Sequence, residues 1–309
     1  MKRALAILIL LGLAGGAVFW FLTMPKTLPA DTFASIEGDP EKGKLVFFAG
    51  GCSSCHAVPD AKGDEKLKLG GGLKFATPFG TFFAPNISSD RQHGIGGWTV
   101  LQFANAVMRG VSPGGSHYYP AFPYTSYQRM SFADVADLKA YMDTLPAVTE
   151  PHKPHELSFP FNIRRGLGLW KLLYVDGKQF VRDPKASAEI NRGAYLVTGP
   201  GHCGECHTPR DRFGGLDRDK WLAGAANPDG EGTIPNITPH ESGIKGWSAE
   251  DIVNGLKTGF TPEFDTFGGS MVPVQENMAK LPDSDLKAIA AYLKSIPALP
   301  DAAPRKKEK

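Results

Sequence analysis

Residues 4–23 form an unbroken apolar run behind the Lys2-Arg3 pair, whereas the rest of the chain mixes apolar and polar positions at helical spacing. Twenty residues at a rise of about 1.5 Å reach about 30 Å, the thickness of a bilayer core. The run closes on Phe19-Trp20-Phe21, aromatic residues of the kind that settle at a membrane–water interface. It predicts a membrane-spanning helix; a secretory signal cleaved near Leu28-Pro29-Ala30 is the competing reading. Lys2 and Arg3 place the N-terminus in the cytoplasm, so under either reading the body lies on the far side.

Beyond this run the pattern predicts three helices in each half, separated by long irregular loops. Asp39-Pro40 reads as the N-cap and first position of one helix, with Leu45, Val46 and Phe48 on its apolar face. Thr99 with Gln102, and Ser248 with Asp251, read as caps of the middle helices. Ser131 with Asp134 opens a helix carrying Val135, Leu138 and Met142 at helical spacing, and Pro146 stops it. Leu286, Ile289, Ala290 and Leu293 form the matching stripe near the C-terminus, before Pro297. A Pro- and Phe-rich stretch, 151–183, joins the halves, and its 162–174 portion has the composition of a short helix.

The halves repeat one text. Pro85-Asn86-Ile87-Ser88 and Gly97-Trp98-Thr99 recur as Pro235-Asn236-Ile237-Thr238 and Gly246-Trp247-Ser248, so Asn86 and Asn236 lie 150 residues apart and Trp98 and Trp247 lie 149 apart. A register shared at that distance marks a tandem duplication of a whole domain. At 309 residues the chain is long enough for two such domains, and a net charge of +2 gives no reason to expect a nucleic-acid partner.

The chemistry sits at the head of each repeat. All four cysteines fall in two Cys-x-x-Cys-His pentapeptides, Cys52-Ser53-Ser54-Cys55-His56 and Cys203-Gly204-Glu205-Cys206-His207, which begin 151 residues apart. This spacing is the attachment pattern of c-type haem, in which two thiols add to the vinyl groups and the adjacent imidazole becomes an iron ligand. A disulfide, a zinc site or a thioredoxin-like pair would leave a terminal His or a cysteine unexplained. The expected cofactors are therefore two covalently bound haem c groups, with His56 and His207 as proximal ligands. The expected fold is all-α: a membrane helix, then two tandem class I cytochrome c-like domains whose long loops wrap haem. The divisions are an anchor or signal segment at 1–29, domains at 38–150 and 184–300, a linker at 151–183 and a charged tail at 301–309.

A thioether opposite His raises the potential of an iron and closes it to outside ligands. In compact c-type domains that Met lies before the final helix. In the second half Met271, in the glycine-rich Gly268-Gly269-Ser270-Met271 segment, is preferred, and Met278 is the alternative. In the first half the place of a Met-Pro pair is taken by Phe122-Pro123; Met130 is the nearest thioether before the last helix, and His117 is the competing ligand. Trp98 and Trp247 have two readings, donation to a haem propionate and core packing. Asn86-Ile87-Ser88 and Asn236-Ile237-Thr238 match glycosylation sequons but are read as turns shaping the haem pocket. The glycines at 70–72 lack the lysine of a phosphate-binding loop, and no Ser-His-Asp set stands out.

Several further strings resemble the cytochrome c subunits of membrane-bound alcohol, aldehyde, gluconate and fructose dehydrogenases. They are Thr77-Pro78-Phe79-Gly80-Thr81, Ala84-Pro85-Asn86-Ile87, Gly94-Ile95-Gly96-Gly97-Trp98 and Tyr119-Pro120-Ala121-Phe122-Pro123-Tyr124, with Phe159-Pro160-Phe161-Asn162-Ile163-Arg164 and Asn191-Arg192-Gly193-Ala194-Tyr195-Leu196 farther on. The resemblance implies an electron-transfer subunit of the bacterial inner membrane with its haem domains in the periplasm. It would take electrons from a periplasmic dehydrogenase and pass them to another cytochrome, quinone or a terminal oxidase. Members serving quinone-reducing alcohol dehydrogenases usually carry three haem domains, and this chain has two haem motifs. A dihaem enzyme, such as a peroxidase or a thiosulfate dehydrogenase, is the alternative function.

Two motifs with no spare cysteine make a countable prediction. Acid–acetone extraction leaves the colour on the protein, the pyridine haemochrome gives two c-type haems per chain, and Cys203→Ala retains one.

Overall fold

The computed structural model describes residues 1–228 and 232–302; the charged tail lies, from residue 303 on, outside the described residues. Helix α1 (Lys2–Leu22) is long and apolar enough to cross a membrane, and none of its residues is buried against the body. Its C-terminal end is different, because Thr23 is fully buried where the chain enters the first lobe. Leu28 then joins the core of that lobe, and its amide donates to Asn105 Oδ1 at 2.7 Å.

The first lobe contains α2 (Pro40–Ala49), α3 (Cys52–His56), α4 (Val100–Arg109), α5 (Tyr124–Tyr127) and α6 (Phe132–Met142). After α7 (Leu167–Tyr174), the second lobe contains α8 (Ala188–Thr198), α9 (Gly204–His207), α10 (Ala249–Thr258), α11 (Met271–Met278) and α12 (Asp283–Ser295). The caps read from the sequence are present. The Asp39 carboxylate accepts from the amides of Glu41 and Lys42, Thr99 and Ser248 form capping boxes, and the Ser131 hydroxyl accepts from the Asp134 amide.

In each lobe the first long helix crosses the last, α2 on α6 and α8 on α12. Both crossings are built on glycine. A methyl group at Gly43 would overlap the Asp137 carbonyl, and one at Gly193 would overlap the Ala288 carbonyl. Backbones this close leave the larger side chains to fill the flanks. The buried residues of α2 are consequently Gly43, Phe47 and Ala49, whereas Leu45, assigned to the apolar face from spacing, is exposed. Arg192 on α8 adds two bonds to Asp285 on α12, at 2.9 and 2.8 Å.

The all-α expectation needs correcting. Strands β1 (Lys74–Thr77) and β2 (Gly80–Phe83) form a hairpin around Pro78-Phe79, and β3 (Glu156–Leu157), from the expected linker, pairs with β2. In the second lobe β4 (Ala225–Ala226) pairs with β5 (Thr233–Ile234). Strands of two to four residues satisfy loop backbone groups by pairing, yet are too short to leave an alternating pattern in sequence. The count of three helices per half also falls short, because α3 and α9 are the haem-motif turns themselves and α5 and α11 interrupt loops.

Helix α7 ties the parts together. Gly168 packs on Thr23 so closely that a Cβ there would collide with it, and the Lys171 ammonium donates to the Arg109 and Gly110 carbonyls at the end of α4, at 2.8 and 2.6 Å. On the second lobe Trp170 donates to the Phe213 carbonyl at 2.9 Å and the Tyr174 hydroxyl to Asp211 at 2.7 Å.

Candidate functional site

Each Cys-x-x-Cys-His segment forms a short helical turn, α3 or α9, directly after the first crossing helix. Helical spacing puts the first cysteine and the histidine, four residues on, near one face, with the second cysteine beside them. All four thiols are free of disulfides, and those of Cys55 and Cys206 are exposed. Burial pushes the Cys52 and Cys203 thiols up to about 12. Reactive dithiols require the opposite shift. Among the described residues no group of three or more His, Cys, Asp or Glu side chains is arranged to hold a metal ion.

The histidines are fixed by one device used twice. His56 Nδ1 lies 2.9 Å from the Pro85 carbonyl, and His207 Nδ1 lies 2.8 Å from the Pro235 carbonyl. A carbonyl only accepts, so Nδ1 carries the proton and Nε2 is left with the lone pair an iron ligand needs. Burial lowers the pKa of both rings and keeps them neutral. A pair of thiols flanking an oriented, neutral imidazole fits haem c in both lobes. When bound, haem c supplies a one-electron couple; Cys52, Cys55 and His56 would hold one group, and Cys203, Cys206 and His207 the other.

The Pro-Asn-Ile strings set this up. The Asn86 amide donates to the Val148 and Glu150 carbonyls at 2.7 and 2.8 Å, and its Oδ1 accepts from the Ser88 amide. Asn236 repeats this with the Leu299 carbonyl at 2.7 Å and the Thr238 amide at 2.8 Å. Each asparagine thus clips the proline turn to the segment after the last helix. Gly71 and Gly224 lie beneath the turns, at φ of 73° and 85°, and donate to the His56 and His207 carbonyls at 2.8 Å. A Cβ on Gly71 would sit 2.6 Å from the Pro85 carbonyl carbon, so both conformation and space require glycine. Sequence reasoning finds the asparagine turns but misses the proline carbonyls as imidazole acceptors. The clue is the recurrence of Pro at nearly one distance from each His.

The two motif turns meet across the lobes reciprocally. On α3, Ser53 donates to Asn277 Oδ1 and Ser54 to the Pro273 carbonyl, both at 3.1 Å on α11. On α9, Glu205 accepts from Thr125 and Ser126 of α5 at 2.7 and 2.6 Å. Tyr127 lies between the motifs, stacked on His202 with its hydroxyl donating to the Gly50 carbonyl. Each motif therefore packs on the segment that precedes the other lobe's last helix.

The candidate distal residues occupy unlike surroundings. Met130 is fully buried in the cluster that contains Cys52, and Met278 is buried in the cluster that contains Cys203. Met271 is half-buried and opens α11, in place of the irregular glycine-rich loop expected there. His117 is engaged by the chain after α1: its Nε2 lies 2.9 Å from the Thr23 carbonyl. Trp98 and Trp247 pack against the two cores. The matching bridges Val111–His117 and Phe260–Thr266 put Met271 where the first lobe has Phe122. Counting back from the last helices puts Met130 where the second has Leu281.

The family model for cytochrome c matches residues 40–146. A dihaem c-type cytochrome of Cereibacter sphaeroides is 51% identical over 97% of this chain and 100% of its own length. The fructose dehydrogenase cytochrome subunit of Gluconobacter japonicus is 38% identical, covering 83% of this chain, which spans 52% of that protein. The gluconate 2-dehydrogenase cytochrome c subunit of Pantoea cypripedii is 35% identical, over 84% of this chain and 59% of its own length.

Glu205 is the charged element of the interlobe contact, with its side chain 10% exposed. Burial alone would raise its carboxyl pKa; Arg210, at 2.7 Å, and the Ser126 and Thr125 hydroxyls outweigh that and hold it below the usual range. Glu205→Ala strands two buried hydroxyls, and because hydrogen bonds to charged groups contribute about 1.5–3 kcal/mol, stability should fall by about 2 kcal/mol. Thermal unfolding of the haem-loaded protein checks this, with Glu205→Gln losing less.

Proposed function

The chain belongs to the cytochrome c family, beside the dihaem cytochrome and dehydrogenase cytochrome subunits it resembles, and on that premise we propose a membrane-anchored dihaem electron carrier. It takes electrons from a periplasmic dehydrogenase and delivers them to the respiratory chain, through another cytochrome, quinone or a terminal oxidase. The observation that carries the reading is the pair of oriented histidines, His56 and His207, on motif turns that interlock across the lobes. That interlock supports transfer between two haem domains at 38–150 and 184–300, because it holds the attachment turns at a fixed separation. The dehydrogenase relatives differ in substrate, so the donor is identified only by class.

Anchoring is supported by the residues directly after α1. Thr23 is enclosed by His117, Arg165 and Gly168, and Leu28 is part of the first core. Cleavage near Leu28-Pro29-Ala30 would strip these residues from a finished lobe. The distal ligands proposed are Met271 for the second haem and Met130 for the first. Support for Met130 is its membership of the Cys52 cluster, together with the engagement of His117 by Thr23.

Two measurements test this. The purified chain is reduced by a partner dehydrogenase plus its substrate and oxidises no alcohol, sugar or aldehyde alone; substrate oxidation by the isolated chain would overturn the carrier reading. Met271→His lowers the potential of one haem and removes its share of the long-wavelength thioether–iron band, because the softer thioether favours ferrous iron. An unchanged spectrum moves the assignment to Met278.

A further inference from the structure

Helix α7 has two faces that differ in more than polarity. Gly168 and Lys171 are buried, the one against Thr23 and the other against the end of α4. Positions 169, 172 and 173 share the opposite stripe of α7, spaced as successive helical turns require. Leu169, Leu172 and Leu173 on that stripe are 42%, 47% and 67% exposed. Just upstream, Phe159, Phe161 and Ile163 are 78%, 45% and 50% exposed. Single exposed apolar residues are ordinary, but a contiguous band of large ones marks an interaction surface.

Arg165 shows which way the band faces. Its guanidinium donates to the Trp20 carbonyl at 2.6 Å and to the Thr23 hydroxyl at 2.8 Å, and lies 4.0 Å from the centre of the Trp20 ring. Trp20 belongs to the last turn of α1, where the apolar helix leaves the body. Arg165, in the turn that leads into α7, therefore ties the start of the exposed leucine stripe to the foot of that helix.

We propose that residues 159–174 form a second membrane contact, an interfacial collar seated in the headgroup–acyl boundary of the bilayer that α1 crosses. The proposal rests on the reading of α1 as a retained anchor. A helix lying in the membrane plane buries one apolar face by several ångströms, and large exposed side chains continuous with a spanning helix supply such a face. The occupant is lipid because the band runs on from Trp20 and Arg165, the aromatic and basic pair that marks a membrane interface. The collar has a functional consequence. Since α7 bonds to Arg109 and Gly110 of the first lobe and to Phe213 and Asp211 of the second, seating it on the bilayer fixes the tilt of both motif turns.

The test uses the full, haem-loaded chain in vesicles of phosphatidylethanolamine and phosphatidylglycerol. Nitroxides are placed at Leu172→Cys, at Leu11→Cys within α1, and at exposed Lys42→Cys and Glu250→Cys as aqueous controls. The expected result is an oxygen-to-nickel-chelate accessibility ratio several-fold higher at 172 than at 42 or 250, approaching that at 11. A ratio at 172 equal to the controls, with 11 still in lipid, overturns the collar and leaves the anchor standing. A water-like ratio at 11 overturns the anchor reading itself. Shielding of 172 from both reagents means that protein covers the stripe, either a second copy or another subunit, and overturns the lipid assignment.

Discussion

The hydrogen bond from histidine Nδ1 to a proline carbonyl, 2.9 Å in one lobe and 2.8 Å in the other, is the constraint around which each lobe is arranged. It fixes both tautomer and ring direction, and neighbours of this kind raise the basicity of a metal-bound imidazole. The carbonyl in turn has to be held. Asn86 and Asn236 do so by tying the proline turn to the segment after the last helix, and Gly71 and Gly224 do so by letting the backbone approach from below. Loosening any one of these lets the ring swing.

The crossing of first and last helices closes the same circuit from the other side. Gly43 and Gly193 bring those helices into backbone contact, which places the motif turn next to the segment that the asparagine clips. Local helix propensity gains nothing from glycine at these points; Gly is about 1 kcal/mol worse than Ala in a helix interior. Close approach at the crossing is the compensation, and it is tertiary in origin.

Between the lobes the contacts are reciprocal but chemically unequal. The α3 side uses serine and asparagine, whereas the α9 side uses a carboxylate that accepts two hydroxyls and pairs with Arg210. A duplication supplies the symmetry of position. The difference in charge gives the two motif turns unlike surroundings, the condition for two haems of unlike potential in one chain. Helix α1 joins this frame through residues that neither motif contains: Thr23, His117, Arg165 and Gly168.

The sequence alone determined the two Cys-x-x-Cys-His motifs, the internal repeat and the local helix starts, because each is written in residues adjacent or regularly spaced along the chain. Cys52-x-x-Cys55-His56 and its copy, the Thr99 and Ser248 capping boxes and the two last helices are all legible for that reason. Short strands are not, since two to four residues carry no measurable alternation. The glycines before Met271 suggest a loop, yet the chain already turns into α11 at that methionine. His117 is a plausible iron ligand by type and neighbourhood; only the chain path shows its ring against Thr23, 94 residues earlier. The proline acceptors, the crossing glycines and the Glu205 contact all join groups far apart in sequence. Their identities follow from distances that no local pattern encodes, so the tertiary structure alone decided them.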